Sequence, residues 1–356
     1  MTNTSPEAPP HAARGAVVRI IVIIAIVIAA IFVIGGLVGD IDWSAVGRAL
    51  GELTWWQIPA LVLLLLLRQY LLALPLALFI KGCSAFRAFV NDQAGILMMS
   101  LTPPPSEFVM RLAMFSSWGI SPSAGMAGIS MKLLTFYVVR FAAPLLGIVL
   151  MVVTGAWHDV QLSVAIVSVA VSISLIVLTW RGLRQEETAA GIGRTAGRTV
   201  HRIRNKVDPE AWAQSLVGFR SYLIDGIGRS APRAALATVG MLVADAAIIL
   251  LSVRFVGVPA SMLGAIPLLT AYLVAYPLTL FPYQGLGILD AVLIGTLVAE
   301  AGEAAEPGLV AGFIIWRVVT LLVPYLLGAT SIIGWKIKQP APLGLMPPEV
   351  VPPETE

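Results

Sequence analysis

Charged residues are scarce in this sequence: Asp, Glu, Lys and Arg together make up 12% of its 356 residues. A soluble globular chain carries roughly twice that share. Hydrophobic residues instead reach 58%, and the mean hydropathy is +0.89. This composition excludes an ordinary soluble domain and predicts a protein that lies largely within a membrane.

Cysteine is nearly absent as well, and the common signatures of catalysis are missing. The single cysteine, Cys83, excludes an internal disulfide framework and a thiolate metal site, because both need several sulfur atoms. We expect it to be a small apolar filler. The sequence has no G-x-x-x-x-G-K-[ST] phosphate loop and no H-E-x-x-H zinc motif. We therefore expect no cofactor, no metal site and no catalytic residue, and we favour a transporter over an enzyme.

Long hydrophobic runs define the predicted fold. A helix needs about 20 mostly apolar residues to cross roughly 30 Å of hydrocarbon, where its backbone must satisfy its own hydrogen bonds. Such runs occupy residues 16–38, 56–80, 124–153, 161–180, 234–255, 260–281, 285–299 and 308–335. We predict an all-α polytopic protein with about eight transmembrane helices in a single membrane domain, residues 14–338, whose first helix is a retained signal anchor. Residues 1–13 and the proline-rich residues 339–356 are predicted to be disordered.

Lysine and arginine predict the orientation of these helices, since they concentrate on cytoplasmic loops. They are dense in residues 181–233, and Lys336 and Lys338 close the last helix. Acidic residues dominate the opposite loops: Asp40, Asp42, Glu52, Asp159, Glu300, Glu303 and Glu306. We predict a multi-pass protein of the bacterial inner membrane with both termini in the cytoplasm. The loops alternate consistently between the two sides of the membrane only if residues 90–112 enter and leave on the cytoplasmic side as a re-entrant segment.

The basic segment 181–233 also predicts an amphipathic helix. Asp208 and Pro209 are a typical N-cap and first-turn proline, and apolar residues from Trp212 to Leu223 repeat on one face. Such a helix can lie on anionic lipid or connect to the bundle and pack against it. The sequence leaves both interpretations open.

Two segments interrupt the hydrophobic pattern in related ways. The first break, residues 101–111, contains Pro103, Pro104 and Pro105 followed by Glu107. The second break, residues 280–290, contains Pro282, Gly285 and Gly287 followed by Asp290. Unwound backbone at membrane depth needs protein or a water-filled cavity around it, and paired breaks in two halves of a chain point to an internal pseudo-repeat and a transporter's substrate site. Kinks that merely fit a crowded bundle are the alternative.

Charged residues inside the predicted spans mark the candidate site, because a charge near mid-bilayer costs at least about 2.5–3.5 kcal/mol. Five are basic and three are acidic: Arg68, Arg111, Lys132, Arg140 and Arg317, against Glu107, Asp245 and Asp290. Even if Asp245 and the other acids are all paired, two positive charges remain. Surplus buried arginine suits a phosphate group. We predict that these side chains other than Asp245, together with Gly285 and Gly287, bind substrate, and that Asp245 pairs with one of the cations. Structural ion pairs such as Glu107 with Arg111 are the alternative.

In these residues the sequence resembles the lysylphosphatidylglycerol synthase transmembrane-region family, the flippase-like module of MprF-type proteins. The resemblance runs from about Ile58 to Ile337. Its motifs are Arg68, Leu101-x-Pro103…Glu107…Arg111, Gly119-Ile-Ser121, Gly285-Leu-Gly287-x-x-Asp290 and Trp316-Arg317-Val-Val-Thr320…Pro324…Gly328. The chain departs from the family where Gln284 stands for a glycine, where proline lies earlier at Pro282, where Asp290 stands for Glu, and where Met131-Lys132 replaces an acidic-basic start.

The resemblance implies a stand-alone member without the synthase domain, which moves an anionic, phosphate-bearing lipid, aminoacylated or glycosylated in some members, between leaflets. Two other functions stay open. One is a glycosyltransferase that uses a lipid-linked sugar, with Asp40 and Asp42 holding a divalent metal. The other is a scaffold in envelope lipid biosynthesis that recruits enzymes through residues 190–206.

The expected partners follow from these interpretations. They are membrane lipids, above all anionic ones, together with envelope-biosynthesis enzymes and a second copy of the chain. No nucleic acid is expected, because basic loops on the cytoplasmic side account for the net charge of +3.

Overall fold

The computed structural model describes residues 42–102, 106–154, 170, 174 and 209–338, without the side chains of residues 209–229, 282 and 283. Within these residues the chain is helical and has no strand, which confirms the all-α polytopic class. The helices are α1 Trp43–Gly51, α2 Gln57–Phe79, α3 Ala85–Leu101, α4 Ser106–Ser117, α5 Pro122–Thr154, α6 Pro209–Phe255, α7 Ala265–Ala275, α8 Pro282–Gly285, α9 Ile288–Ala301 and α10 Glu306–Ile337, with 3₁₀ turns at Tyr276–Leu280 and Glu303–Ala305.

Within the described part of the chain, four stretches are long and apolar enough to cross a membrane: Gln57–Phe79, Pro122–Thr154, Ser230–Phe255 and Glu303–Ile337. They coincide with the predicted spans 56–80, 124–153, 234–255 and 308–335. Two other predicted spans are shorter than expected. The span 260–281 becomes the apolar stretch Ala265–Leu280, and the span 285–299 becomes the 14-residue helix α9.

Several predictions fall outside the described part of the chain. They are the span 16–38, nearly all of the span 161–180, the two termini and most of the basic segment. The helix predicted from Asp208 is the first part of α6, which continues without interruption for 47 residues through Pro232. Its side chains up to residue 229 are not described, so its two interpretations both stay open.

Close helix packing holds the bundle together. Helix α2 packs along α6, while α10 lies against α3, α6 and α1. A Cβ atom at Gly312 would lie 2.8 Å from the Cα of Val253, and one at Gly328 would lie 2.6 Å from the backbone oxygen of Gln93. Lipid supplies no hydrophobic force between helices, so backbones that approach at small residues matter for association. Gly328 thus brings α10 directly against α3.

The two ends of the bundle differ in charge. The acidic end contains α1 and residues 256–264 and 302–306, and a Cβ at Gly257 would lie 3.0 Å from Oε2 of Glu52. The basic end contains residues 80–87, 117–122 and the end of α10, where Trp335 Nε1 donates to Ser117 Oγ at 2.9 Å. Its charges are Lys81, Arg87, Lys336 and Lys338, and these described residues include no acid.

Cys83 lies in the short connection between α2 and α3 at the basic end. It is buried beside Leu76 and Ile80. Burial raises the pKa of its thiol to about 11, so the thiol stays protonated at neutral pH. This placement agrees with a small apolar filler.

Candidate functional site

The first break separates two short helices. Helix α3 ends at Leu101, Thr102 is extended with φ −128° and ψ 150°, and α4 begins at Ser106; Pro103, Pro104 and Pro105 lie outside the described residues. At 1.5 Å per residue, the 17 residues of α3 and the 12 of α4 cover about 25 and 18 Å. Neither helix reaches across a hydrocarbon layer of roughly 30 Å. Helix α3 starts and α4 ends at the basic end, so the two form a hairpin within the bundle.

Asp92 on α3 forms ion pairs with the basic side chains around this hairpin. Arg111 donates from Nη2 to Asp92 Oδ1 at 2.9 Å and from Nε to Asn91 Oδ1 at 3.0 Å. Lys132 of α5 pairs with the same oxygen of Asp92. Glu107 lies 3.6 Å from Arg111 Nη1, and its side chain is 19% exposed, whereas that of Asp92 is 1% exposed. Asp92 is therefore the main counter-ion of Arg111, and Glu107 is secondary. We call Asn91, Asp92, Glu107, Arg111 and Lys132 the Asp92 cluster.

Asp245 on α6 is the centre of a second cluster. Its Oδ2 lies 3.4 Å from Arg68 Nη2 and accepts a hydrogen bond of 2.6 Å from the Tyr272 hydroxyl. Its Oδ1 accepts from Trp316 Nε1 at 3.3 Å. Four helices, α2, α6, α7 and α10, thus meet at one buried carboxylate. We call Arg68, Asp245, Tyr272 and Trp316 the Asp245 cluster.

Asp290 holds the second break together. Its Oδ2 accepts from the backbone N–H of Gly287 at 2.7 Å, which caps the start of α9. Its Oδ1 accepts from Arg317 Nε at 2.7 Å, and Arg317 Nη2 donates onward to the carbonyl of Gln284 at 3.4 Å. One carboxylate therefore fixes both the break and its attachment to α10. Asp290, Gly287, Gln284 and Arg317 form the Asp290 cluster.

The backbone of the second break needs left-handed conformations. Gly285 has φ +73°, and a Cβ there would lie 2.5 Å from the carbonyl oxygen of Leu278. Gly287 has φ 86°, and Gln284, with φ 59°, is the one non-glycine residue with positive φ in the part of the chain that the structure describes. Glycine adopts this region freely, whereas a residue with a Cβ is strained there. A glycine would fit the conformation at position 284 without this strain, which Gln284 bears.

The three clusters are joined into one buried network. Gln69, the neighbour of Arg68 and its hydrogen-bond partner, donates to Gln93 Oε1 at 2.9 Å, and Gln93 follows Asp92 in the chain. At the other side, the Arg317 guanidinium lies 4.2 Å from the ring centroid of Trp316. Polar contacts and adjacent residues therefore lead from the first break through the bundle to the second.

Arg140 lies beside this network and differs from every other buried cation. It is 7% exposed, has no carboxylate partner among the described residues, and its Nε has no hydrogen bond there. Its guanidinium carbon lies 4.4 Å from the ring centroid of Phe136, 5.4 Å from that of Tyr137 and 5.9 Å from that of Tyr276. Tyr276 begins the 3₁₀ turn that leads into the second break. Aromatic faces stabilise this charge without neutralising it.

The structure corrects the charge balance expected from the sequence. The estimate of two uncompensated positive charges omitted Asp92, and with it the polar core holds five basic and four acidic side chains. The surplus within the described residues is one cation, Arg140. The sequence did indicate this acid, because the polar run Asn91-Asp92-Gln93 interrupts a mostly apolar segment. In the structure all three residues are buried. The aromatic partners Tyr272, Tyr276 and Trp316 gave no such signal, since aromatic residues are ordinary in membrane helices.

Asp42 is one of the two carboxylates that the glycosyltransferase alternative assigns to a divalent metal. In the structure it is the N-cap of α1. It accepts hydrogen bonds from Ser44 Oγ at 2.7 Å and from the backbone N–H groups of Ser44 and Ala45 at 2.9 and 3.0 Å. The Ser44 hydroxyl, followed by the Ala45 N–H, holds the pKa of Asp42 below its usual value. Helix capping accounts for this carboxylate, while Asp40 lies outside the described residues.

Comparison with known proteins agrees with the resemblance carried by these residues. The family model described as the lysylphosphatidylglycerol synthase TM region matches residues 20–328, a range that includes both breaks and all three clusters. No match was found among curated proteins. Because the matched range covers most of the sequence, the chain belongs to the lysylphosphatidylglycerol synthase TM-region family.

Proposed function

We propose that this multi-pass membrane protein moves an anionic, phosphate-bearing lipid between leaflets and that Arg140 holds the lipid's phosphate. Membership of the family supports a role in lipid synthesis or transport. The observation that carries the finer proposal is the unpaired state of Arg140 in a polar core whose other cations have carboxylates. That difference separates the residue that binds substrate from those that hold the helices.

Burying a charge is expensive unless a partner repays the loss of water, and Arg68, Arg111, Lys132 and Arg317 have such partners. Arg140 has aromatic rings and a hydrogen-bonding contact with Tyr276, and no carboxylate, within the described residues. A guanidinium binds phosphate oxygens through two parallel N–H donors, so an anionic headgroup supplies what this site lacks.

The two breaks give this site a means of movement. Tyr276 contacts Arg140 and continues into the second break, which Asp290 and Arg317 tie to α10. In a transporter, unwound segments of this kind line the substrate path. Glu107, the most exposed carboxylate of the polar core, is the group we assign to a proton-coupled step.

Charge supports an orientation. Basic residues concentrate at cytoplasmic faces, so we place the basic end in the cytoplasm of a bacterial cell, the acidic end outside, and the α3–α4 hairpin as a re-entrant pair entering from the cytoplasm. Lys336→Cys and Gly47→Cys place new thiols at the two ends. In inside-out vesicles, an impermeant maleimide should label Lys336→Cys and spare Gly47→Cys; the reverse pattern would overturn this orientation.

Transport is tested in liposomes that contain a fluorescent phosphatidylglycerol and, separately, a fluorescent phosphatidylcholine. Dithionite added outside reports the lipid that reaches the outer leaflet. Hydrogen bonds to charged groups contribute about 1.5–3 kcal/mol, so Arg140→Gln should slow phosphatidylglycerol movement by about tenfold or more. Lys336→Gln removes one positive charge outside the polar core and should leave the rate unchanged.

Two outcomes would contradict the proposal. If folded Arg140→Gln moves phosphatidylglycerol as fast as the parent, Arg140 is excluded as the anchor. If the parent protein itself moves no lipid, the scaffold function is favoured. Deletion of residues 190–206 separates these functions, because it should abolish enzyme recruitment by a scaffold and spare lipid movement.

A further inference from the structure

A cavity with a mostly apolar lining lies at the basic end, away from the three clusters and Arg140. It has a volume of about 550 Å³ and lies between the start of α3, the end of α4 and the last turns of α10. The side chains that give it its chemistry are Phe86, Arg87, Trp118, Ser331, Trp335 and Lys338. None of them belongs to the network between the breaks. The volume is within the usual range for small-molecule sites, about 300–1,000 Å³.

The cavity is positively charged. Among the residues that the structure describes, Arg87 and Lys338 are its two charged lining residues, and no acidic side chain lines it. The Arg87 guanidinium lies 5.8 Å from the ring centroid of Trp118, and no carboxylate pairs with either cation among the described residues. Both cations are exposed, which leaves their donors available for an anion that enters from outside.

The wall of the cavity is already organised. Trp335 Nε1 donates to Ser117 Oγ at 2.9 Å, and Ser117 Oγ donates to the carbonyl of Met114 at 2.7 Å. The hydroxyl of Ser117 is therefore occupied and the indole of Trp335 is fixed in orientation. A site with fixed walls loses less entropy when a ligand binds.

One side of the cavity is apolar and exposed. Phe86 is 69% exposed, and Phe89 and Leu327 line the same space. The apolar span that includes α10 ends at Ile337, so we expect Trp335 and Lys338 to lie at the level where a membrane meets water. Tryptophan rings and basic side chains at this level are the usual contacts of lipid headgroups.

We propose that this cavity is a binding site for an anionic phospholipid, separate from the transport site. Arg87 and Lys338 hold the phosphate, the two indoles flank the headgroup, and an acyl chain runs along Phe86 and Leu327. The bound lipid bridges the α3–α4 hairpin and the end of α10. It therefore fastens the first break's hairpin to the helix that carries Arg317.

The test is a measurement of lipid binding by native mass spectrometry on protein released from nanodiscs of mixed phosphatidylglycerol and phosphatidylcholine. Arg87→Gln/Lys338→Gln should lower the retained ratio of phosphatidylglycerol to phosphatidylcholine by about tenfold, since each basic side chain near anionic lipid contributes to the attraction. The matched control is Lys81→Gln/Lys336→Gln, which removes the same charge from the same end but outside the cavity. It should retain the parent ratio.

Three results would overturn the proposal. An equal loss in both double variants would show general attraction to the basic end, and no loss in either would show that the cavity holds no anionic lipid. Displacement of the lipid by millimolar glycerol phosphate would show that a soluble phosphate occupies the site. The transport assay stays independent, because Arg87→Gln/Lys338→Gln retains Arg140.

Discussion

The two breaks look alike in the sequence, yet the structure holds them in different ways. In the second break the local carboxylate, Asp290, is 1% exposed and lies 2.7 Å from Arg317 of another helix. In the first break the local carboxylate, Glu107, is 19% exposed and lies 3.6 Å from Arg111 of its own helix. The connection to a neighbouring helix is made there by Asp92 of α3, at 2.9 Å from Arg111.

Carboxylates that follow proline in similar sequence segments can therefore have different structural roles. At the second break the carboxylate caps a helix and anchors it, so the break is fixed at its tip. At the first break the anchor lies within the preceding helix, and the carboxylate at the tip is left partly accessible. We infer that Glu107 is held less firmly than Asp290, since it lacks a short ion pair to another helix among the described residues.

The largest expected effect is at the second break. Asp290→Asn leaves Arg317 buried without a counter-charge, and removal of one partner of a buried pair costs about 3–5 kcal/mol. Denaturant unfolding of the purified protein in detergent should show this loss. The double variant Asp290→Asn/Arg317→Gln removes the unpaired charge and should regain part of the stability. If the two single effects simply add in the double variant, the pair is not coupled.

The two acids of the first break should differ in the same assay. Asp92→Asn deprives both Arg111 and Lys132 of their nearest carboxylate and should cost about 3 kcal/mol. Glu107→Gln removes a longer and more exposed pair and should cost less than about 1 kcal/mol. Equal losses would mean that both breaks are anchored at their tips, and the contrast between them would disappear.

The smallest effect concerns backbone strain in the second break. Gln284 has φ 59°, and replacement by glycine removes a left-handed strain of about 1 kcal/mol, so Gln284→Gly should raise the unfolding temperature. Gly285→Ala should lower it, because the new Cβ would lie 2.5 Å from the Leu278 carbonyl. Gly295→Ala is the matched control: its Cβ meets nothing within 4 Å and it should be tolerated. A lower unfolding temperature for Gln284→Gly would show that the glutamine side chain contributes more than the strain costs.

Much of the fold was predictable because hydropathy is a local property. The spans Gln57–Phe79 and Glu303–Ile337 follow from apolar runs alone, since lipid forces such runs into helices. The second break was also predictable, because proline and glycine interrupt a helix wherever they lie. The lengths of α7 and α9 were not, because the 3₁₀ turn Tyr276–Leu280 shortens this region and tertiary contacts decide where it begins.

The candidate site was only partly predictable. The sequence identified the cations Arg68, Arg111, Arg140 and Arg317, because charges are rare and costly at membrane depth. It did not show which of them is unpaired. Asp92 was overlooked, although it is the acid that neutralises the first break.

What the sequence alone determined is therefore the membrane class, the position of the breaks and the family. Only the tertiary structure decided the partners: Arg68 meets Asp245 at 3.4 Å across 177 residues of chain, and Arg140 meets aromatic rings. The physical reason is that ion pairing depends on the depth and rotation of each helix relative to its neighbours. Those quantities arise from packing at small residues such as Gly312 and Gly328, which composition and periodicity do not specify.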